Sequence, residues 1–426
     1  MKDFRQNTIP EYPYEKSFDT VYSCGCGLCD DIAGNKADES FMRLVKGTNE
    51  TDFADFCAGL TAGGFAPTYE RTDESGIYRE FVKGCKIVYT YYIFCENSVR
   101  IIADNASVPL KNFAFTSMNE PRTDSALMQY GLYYHDMIRG ITCDCGMLYV
   151  IRLRNNELII IDGGEKEQCT VISVADVIER LREMTGTEKI TVAAWFCSHP
   201  HNDHIDMFTK LIKDMGENLY IKRVMFNFPE YGTVGIDTSL ESISRMKKYI
   251  IANNPAVRFL KPHSGQHFYI GNAEFDILHT HEDMLTYYPD KPYRGANQTS
   301  TVLKITVDGI SAVFLADCEE ENGEIFLKRY SQGTLTCTFL QAAHHCINED
   351  RNIYEGINAR KVLIPQSMHN ITPRFPDKFG VICEIYGSEN IIVAGDGTKI
   401  FTCADGKITD EKTYPVIGTI YDENEL

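Results

Sequence analysis

"AAWFCSHPHNDHIDMF", residues 193–208, gathers three of the chain's eleven histidines, His199, His201 and His204, into six residues, with Asp203 among them. The residues that lead into it, "ITVAAWFCS", form a continuous apolar run and read as a buried strand. The cluster therefore stands at a strand's carboxyl end. In extended backbone, residues two apart point the same way, so His199 and His201 can reach one metal ion. Asp203 and His204 follow at once, and a turn there aims them at a second ion. This is not the helical H-E-x-x-H arrangement, in which residues four apart share a face. Imidazole and carboxylate together suit zinc, and also iron or manganese.

Other strands stop in the same manner. Asp317 ends "SAVFLADCE", His344 and His345 end "TCTFLQAAHH", and His279 and His281 end "EFDILHTH". With "ITVAAWFCS", four apolar runs each finish on a metal-type side chain, which weighs more than any one residue. Two ions about 3.5–4 Å apart would clamp both the attacking and the leaving oxygen of a hydrolysis.

Outward from this core the chain reads as two parts. Residues 126–426 hold most of the strands. "MLYVIRLRNN" and "ELIIIDGG" suggest a hairpin ending at Asp162-Gly163-Gly164, and "SVADVIERLREMTG" an amphipathic helix closed by Gly186. "IKRVMFNF", "TSTVLKITVDG", "KVLIPQS" and "NIIVAGDGTKIFTC" add further strands. A helix is expected over "TSLESISRMKKYIIANN". Sheets with helices outside them make an α/β sandwich. Gly395 and Gly397 in "AGDGTK" read as a hairpin turn, since the GxxxxGK[ST] frame of a phosphate loop is absent. Residues 1–125 read as a small α+β unit of unassigned role. In it a helix over "TDFADFCAGLTAGGF", with Thr51 and Asp52 as candidate caps, precedes the antiparallel strands "YREFVKG", "KIVYTYYIF" and "SVRIIAD". "SVPLKNFAFTSMNEPRTDSA" reads as a linker.

The chain has 426 residues, 43% of them hydrophobic, and a formal net charge of −18. That charge repels nucleic acid and anionic membranes, and no basic stripe offsets it. No run of 18 apolar residues predicts a membrane span, and "MKDFRQNTIPEYPYEK" lacks the apolar core of a signal peptide. Most of the fifteen scattered cysteines then read as free thiols of a cytoplasmic protein. "CGCGLC" (24–29) offers three soft ligands, with Cys57 as a possible fourth, but reads more simply as unligated thiols. Cys143 and Cys145 read as packing residues. Tyr287, Tyr288 and Tyr293 would line a pocket for an organic head group or simply belong to a loop.

At these motifs the sequence resembles the metallo-β-lactamase superfamily. "HPHNDH" fits its H-x-H-x-D-H motif in full, and "LIIIDGG" resembles the strand before it, with Asp162 as the usual acid. Within the superfamily the chain is most similar to the soluble domain of bacterial competence (DNA-uptake) proteins and to phosphorylcholine esterases. That similarity runs through "NQTSTVLKITVDGISAVFLADCEEE", "AAHHC" and "VAGDGTKIFTCADGKI", over roughly residues 130–410. It implies a four-layer αββα sandwich with metals in a cleft at one edge of the sheets. It also implies roles: His199 and His201 for a first metal, Asp203 and His204 for a second, and Asp317 as the bridge. His345 would be a ligand and His344 a contact to substrate or leaving group, unless the two are exchanged. The third-motif histidine would be His279, with His281 as the alternative. Relatives follow their paired histidines with glycine, where this chain has Cys346.

The expected activity is that of a dinuclear metal-dependent hydrolase, a phosphoesterase and in particular a phosphodiesterase. A hydroxide, formed because two divalent ions (zinc, or else manganese or iron) lower the pKa of bound water towards about 7, attacks the substrate. Asp203 would orient it, and His344 would protonate the leaving group. Hydrolysis of a lactone or thioester at the same metals is the alternative, as is a ligand-binding or sensor protein on this scaffold. The expected partner is a small-molecule or head-group substrate rather than nucleic acid, with a homo-oligomer left open.

Overall fold

The structure is a computed structural model. It describes residues 12, 20–23, 41–84, 86–104, 111–114, 122–131, 134–136, 141–143, 146–164, 174–229, 248–252, 254–285, 287–288, 293–348 and 350–415. "CGCGLC", Cys145 and most of "TSLESISRMKKYIIANN" lie outside these residues, as does the Cys143 side chain.

The N-terminal part forms an antiparallel sheet of six strands. They are β1 (Thr20–Ser23), β2 (Phe41–Lys46), β3 (Ala66–Thr72), β4 (Gly76–Lys83), β5 (Lys86–Ile93) and β6 (Ser98–Asp104), in spatial order β1-β2-β6-β5-β4-β3. Helix α1 (Glu50–Ala62) starts two or three residues earlier than the sequence suggests. Asn49 is its cap, its side chain accepting the Asp52 N–H at 3.0 Å, because Thr51 and Asp52 are already helical. Strand alternation then sends the sheet's side chains to two covers. Val88 and Tyr92 of β5 pack with Phe53, Phe56 and Leu60 of α1. Tyr89, Tyr91 and Ile93 pack with Met284, Leu285, Tyr288 and Tyr293 from later in the chain.

Two further sheets face each other. One holds β7 (Ser125–Gln129), β10 (Tyr149–Arg152), β11 (Leu158–Ile161), β12 (Ile190–Phe196), β13 (Leu219–Ile221), β14 (Arg223–Met225), β15 (Arg258–Leu260), β23 (Thr398–Ala404) and β24 (Lys407–Tyr414). The other holds β16 (His267–Ile270), β17 (Ala273–His279), β18 (Val302–Val307), β19 (Ile310–Phe314), β20 (Cys337–Gln341), β21 (Ala359–Ile364) and β22 (Ile391–Val393). A short pair, β8 (Tyr134–Asp136) and β9 (Ile141–Cys143), stands apart. Successive residues divide the core. Ile159 and Ile161 enter the layer between the sheets with Phe275, Leu303, Phe314 and Phe339. Leu158 and Ile160 face out onto α2 (Val174–Thr185) and α3 (Asn202–Met215), through Val177, Leu181, Phe208 and Leu211. On the far side Val313, Leu340 and Val362 meet Phe326 of α4 (Glu320–Arg329) and Ile382 of α5 (Pro376–Tyr386). The result is the expected αββα order.

Strands β11, β12, β14 and β15 run parallel, as do β19 to β22. Their carboxyl ends therefore share one edge per sheet, where open α/β sheets place their ligands. Two sequence expectations change. "AGDGTK" is not a hairpin: β22 and β23 belong to different sheets, and the segment crosses between them by a 3-10 turn. Part of the expected linker joins the third sheet, where Phe113 is buried and bridges Ile270. Among the described residues, no helix is long and apolar enough to cross a membrane.

Candidate metal centre

Strand β12 delivers Ser198, His199, Pro200 and His201 to this edge, and α3 begins at Asn202. His201 is still extended, at φ −93° and ψ 154°, and its ring centroid lies 4.8 Å from that of His199. Asp203 and His204 occupy the first turn of α3, so helix geometry, not a free loop, aims them. The positive end of the helix also favours the Asp203 carboxylate.

Asp162 fixes His204. It follows β11 with φ +60° and is fully buried. Its Oδ1 accepts the Ser198 N–H at 2.7 Å, and its Oδ2 accepts the Ser198 hydroxyl at 2.8 Å. Oδ2 also lies 2.6 Å from Nδ1 of His204. With the Nδ1 proton given to Asp162, Nε2 of His204 is left facing Asp317 and His345. Burial raises the Asp162 pKa, and His204 works against that rise. Gly163 allows the close approach of α3: a Cβ there would lie 2.9 Å from Cβ of Phe208.

Asp317 comes off β19, and His344 and His345 come off β20. The backbone is left-handed at Ala316, His344, His345 and Cys346, with φ of +51°, +48°, +52° and +71°. Each such residue costs about 1–2 kcal/mol, and local bonds hold the shape. The Gln341 side chain accepts the Ala316 N–H at 2.6 Å and donates to its carbonyl at 3.1 Å, while the His344 N–H donates to the same carbonyl at 2.9 Å. Cys346 thus holds a conformation that glycine would adopt without strain. Nδ1 of His345 lies 3.1 Å from the Pro365 carbonyl, which turns Nε2 inward.

Two groups of ligand atoms result, and they share Asp317. In one, Asp317 joins His199 and His201, with its Oδ2 3.6 Å from Nε2 of His199. In the other it joins Asp203, His204 and His345. There Asp317 Oδ1 lies 3.1 Å from Nε2 of His204 and 3.4 Å from Nε2 of His345, and Asp203 Oδ2 lies 2.9 Å from that same His345 nitrogen. Nε2 of His199 and Oδ1 of Asp317 are buried without a hydrogen bond. Burial holds His199 neutral, its pKa well below the usual histidine value. Burial works the same way on His204, but Asp317, Asp203 and Asp162 outweigh it and raise that pKa well above normal. Two buried carboxylates need positive charge beside them. A proton on His204 meets that need, and divalent ions would meet it while displacing the proton. The donor set fits two such ions.

His344 stands at the mouth, its side chain 24% exposed, with Nδ1 3.3 Å from Glu319 Oε1 and Nε2 3.8 Å from Asp317 Oδ2. Burial lowers its pKa, but the Glu319 and Asp317 carboxylates override this and raise it. His279 is not brought into either group. Its Nε2 accepts from Asn322 Nδ2 at 2.9 Å and its Nδ1 faces Asp283 at 3.5 Å, because α4 packs over the end of β17. His281 is turned away too, onto Asn227 and the Tyr293 hydroxyl. Tyr288 and Tyr293 are packed against the N-terminal sheet, while Tyr287 lines a cavity beside Glu96, Arg100 and Asp283. Glu319, Asn297 and Asn322 were not singled out from sequence, although Glu319 lies two residues after Asp317. A further grouping, His267, Glu274 and Asp276, lies on the β16–β17 hairpin, where Arg71 already pairs with Asp276 at 2.9 Å.

No protein-family model matches the chain, and no curated protein matches it. Among solved structures it is similar to CmlA, a diiron beta-hydroxylase from Streptomyces venezuelae, at 13% identity and a TM-score of 0.33. That match covers 60% of this chain and 46% of CmlA, so the chain spans about half of that protein's length. It is also similar to Zn(2+)-bound PqqB from Methylobacterium extorquens, at 9% identity and a TM-score of 0.38, over 65% of this chain and 99% of PqqB. At these values neither likeness assigns a family or a chemistry. The αββα layering and the convergence of the motif residues on one edge come from the chain's own geometry.

Proposed function

We propose that the chain is a dinuclear metal-dependent hydrolase of the metallo-β-lactamase type that cleaves phosphoesters, in particular phosphodiesters. The observation that carries this reading is Asp317, whose two oxygens face two separate groups of ligand atoms. His199, His201 and Asp317 would hold one ion, and Asp203, His204, His345 and Asp317 the other, with zinc suited to the donors and manganese or iron also compatible. Bound there, divalent ions would acidify water and neutralise charge on the phosphoryl oxygens. The chain's own groups do the rest. Asp203 orients the nucleophile from the first turn of α3. His344, held between Glu319 and Asn297, gives its proton to the leaving oxygen. The carboxylates Asp203 and Asp317 in the ligand set support phosphorus over carbon. The net charge of −18 favours a small molecule or lipid-like head group over a polymer of nucleic acid.

The test is a panel of chromogenic phosphodiesters, phosphomonoesters, lactones and thioesters, run with metal-replete protein. Phosphodiester turnover that disappears in Asp317→Ala supports the reading. Turnover of only lactones or thioesters redirects it to carbon chemistry, and tight binding without turnover to a sensor.

A further inference from the structure

A line of polar side chains, buried at its centre and partly exposed at both ends, runs from the N-terminal sheet to the metal edge. On the sheet, Arg100 Nη1 donates to Glu96 Oε2 at 2.8 Å, and the Tyr91 hydroxyl donates to Asp283 Oδ1 at 3.0 Å. Arg329 of α4 closes the ring, with Nε 3.0 Å from Glu96 Oε1 and Nη1 2.8 Å from Asp283 Oδ1. Two carboxylates and two guanidinium groups thereby offset one another, with Asp283, Arg100 and Arg329 buried and Glu96 at the solvent edge. Burial opposes the charge on Glu96 and Asp283, but the arginines outweigh it and hold both well below the usual carboxylate range.

The line continues through Asp283 Oδ2, which faces Nδ1 of His279 at 3.5 Å. Asn322 Nδ2 donates to His279 Nε2 at 2.9 Å, and Asn322 Oδ1 accepts the Glu319 N–H at 2.9 Å. The Glu319 carboxylate accepts from Asn297 Nδ2 at 2.9 Å and lies 3.3 Å from Nδ1 of His344. Since Nε2 of His279 accepts, the ring proton of the neutral imidazole sits on Nδ1, toward Asp283. Nε2 is then engaged by Asn322, and Nδ1 faces Asp283 without a hydrogen bond, away from both ligand-atom groups.

We infer that His279 and Asn322 are positioning residues, which hold the backbone of Glu319, the residue whose carboxylate sets His344, beside the ion network of the N-terminal sheet. This rests on the reading of His344 as the proton donor of the proposed hydrolase. It makes that sheet a fixed part of the catalytic edge. Breaking the line leaves the metal ligands in place and frees Glu319 and His344 to rotate.

The test uses the full-length, zinc-loaded chain with 15N-labelled histidine. Asn322→Ala cuts the line near His344, and Tyr91→Phe loosens it at the far end without opening a cavity. Both variants are expected to keep two ions per chain. The ring signals of His279 and His344 shift, while those of His199, His201, His204 and His345 hold. With a phosphodiester whose leaving group is an alkoxide, followed by a coupled assay of the released alcohol, kcat in Asn322→Ala falls roughly tenfold or more at unchanged KM, the scale typical of groups that orient reacting residues. His344 signals that stay put in both variants overturn the inference, as does loss of an ion in His279→Gln. A wild-type chain that turns over no phosphodiester counts against the proposed function alone, because the ring signals read the line without turnover.

Discussion

Asp162 Oδ2 lies 2.6 Å from Nδ1 of His204, although the two residues come from different elements 42 positions apart. The acid at the end of β11 thus decides which nitrogen of His204 faces Asp317. Asp162→Asn keeps the shape but turns the hydrogen bond against His204. Affinity for one of the two ions should fall about 10–100-fold, measured by competition with a chromogenic chelator. Unchanged affinity for both ions would remove Asp162 from the account.

Gly163→Ala tests the packing behind this contact. Its new Cβ would lie 2.9 Å from Cβ of Phe208, and α3 must shift to accept it. Overpacking of this kind costs about 1–3 kcal/mol. The urea midpoint should drop, and metal affinity should drop with it, because the first turn of α3 carries Asp203 and His204. A fall in stability alone would show that the metal centre does not depend on the seat of α3.

His344→Asn should leave the metal content intact and lower kcat about 100-fold for alkoxide leaving groups. The loss should be much smaller for nitrophenolate, which leaves without a proton. Equal losses for both would argue against proton donation.

Acid should destabilise the fold in two stages. His279 and His281 are pushed down by burial to about 4. Their folded pKa lies below the unfolded value, so the unfolded chain takes up protons first. Stability therefore falls as the pH drops from about 6.5 to about 4, by roughly 3 kcal/mol per histidine. Glu282 is opposed by burial, yet His263 holds it down at about 2. Its contribution is present above about pH 4.5 and is lost as the pH falls towards 2. Tm measured from pH 8 to 3 should show the histidine stage, and it should shrink in His281→Gln.

Much of the site was legible because each ligand type stands just past an apolar strand, and strand ends of parallel sheets share an edge. His199, His201, His204, Asp317 and His345 converge for that reason. The remainder depends on partners distant in sequence. His279 also ends a strand, and only the packing of α4, through Asn322, turns it from the two ligand-atom groups. Gln341 looked like any strand residue until its clamp on Ala316 was visible. "AGDGTK" has the composition of a hairpin turn, and nothing local says that its two strands lie in different sheets. The left-handed run from His344 to Cys346 carries no glycine to announce it.

The most direct test is metal counting by mass spectrometry on protein purified with zinc present. The account predicts two ions per chain in the wild type and one in either His201→Ala or His345→Ala. It predicts fewer than one in Asp317→Ala, because both groups lose a shared ligand. A wild-type chain with no bound metal would contradict it. So would an Asp317→Ala variant that keeps both ions.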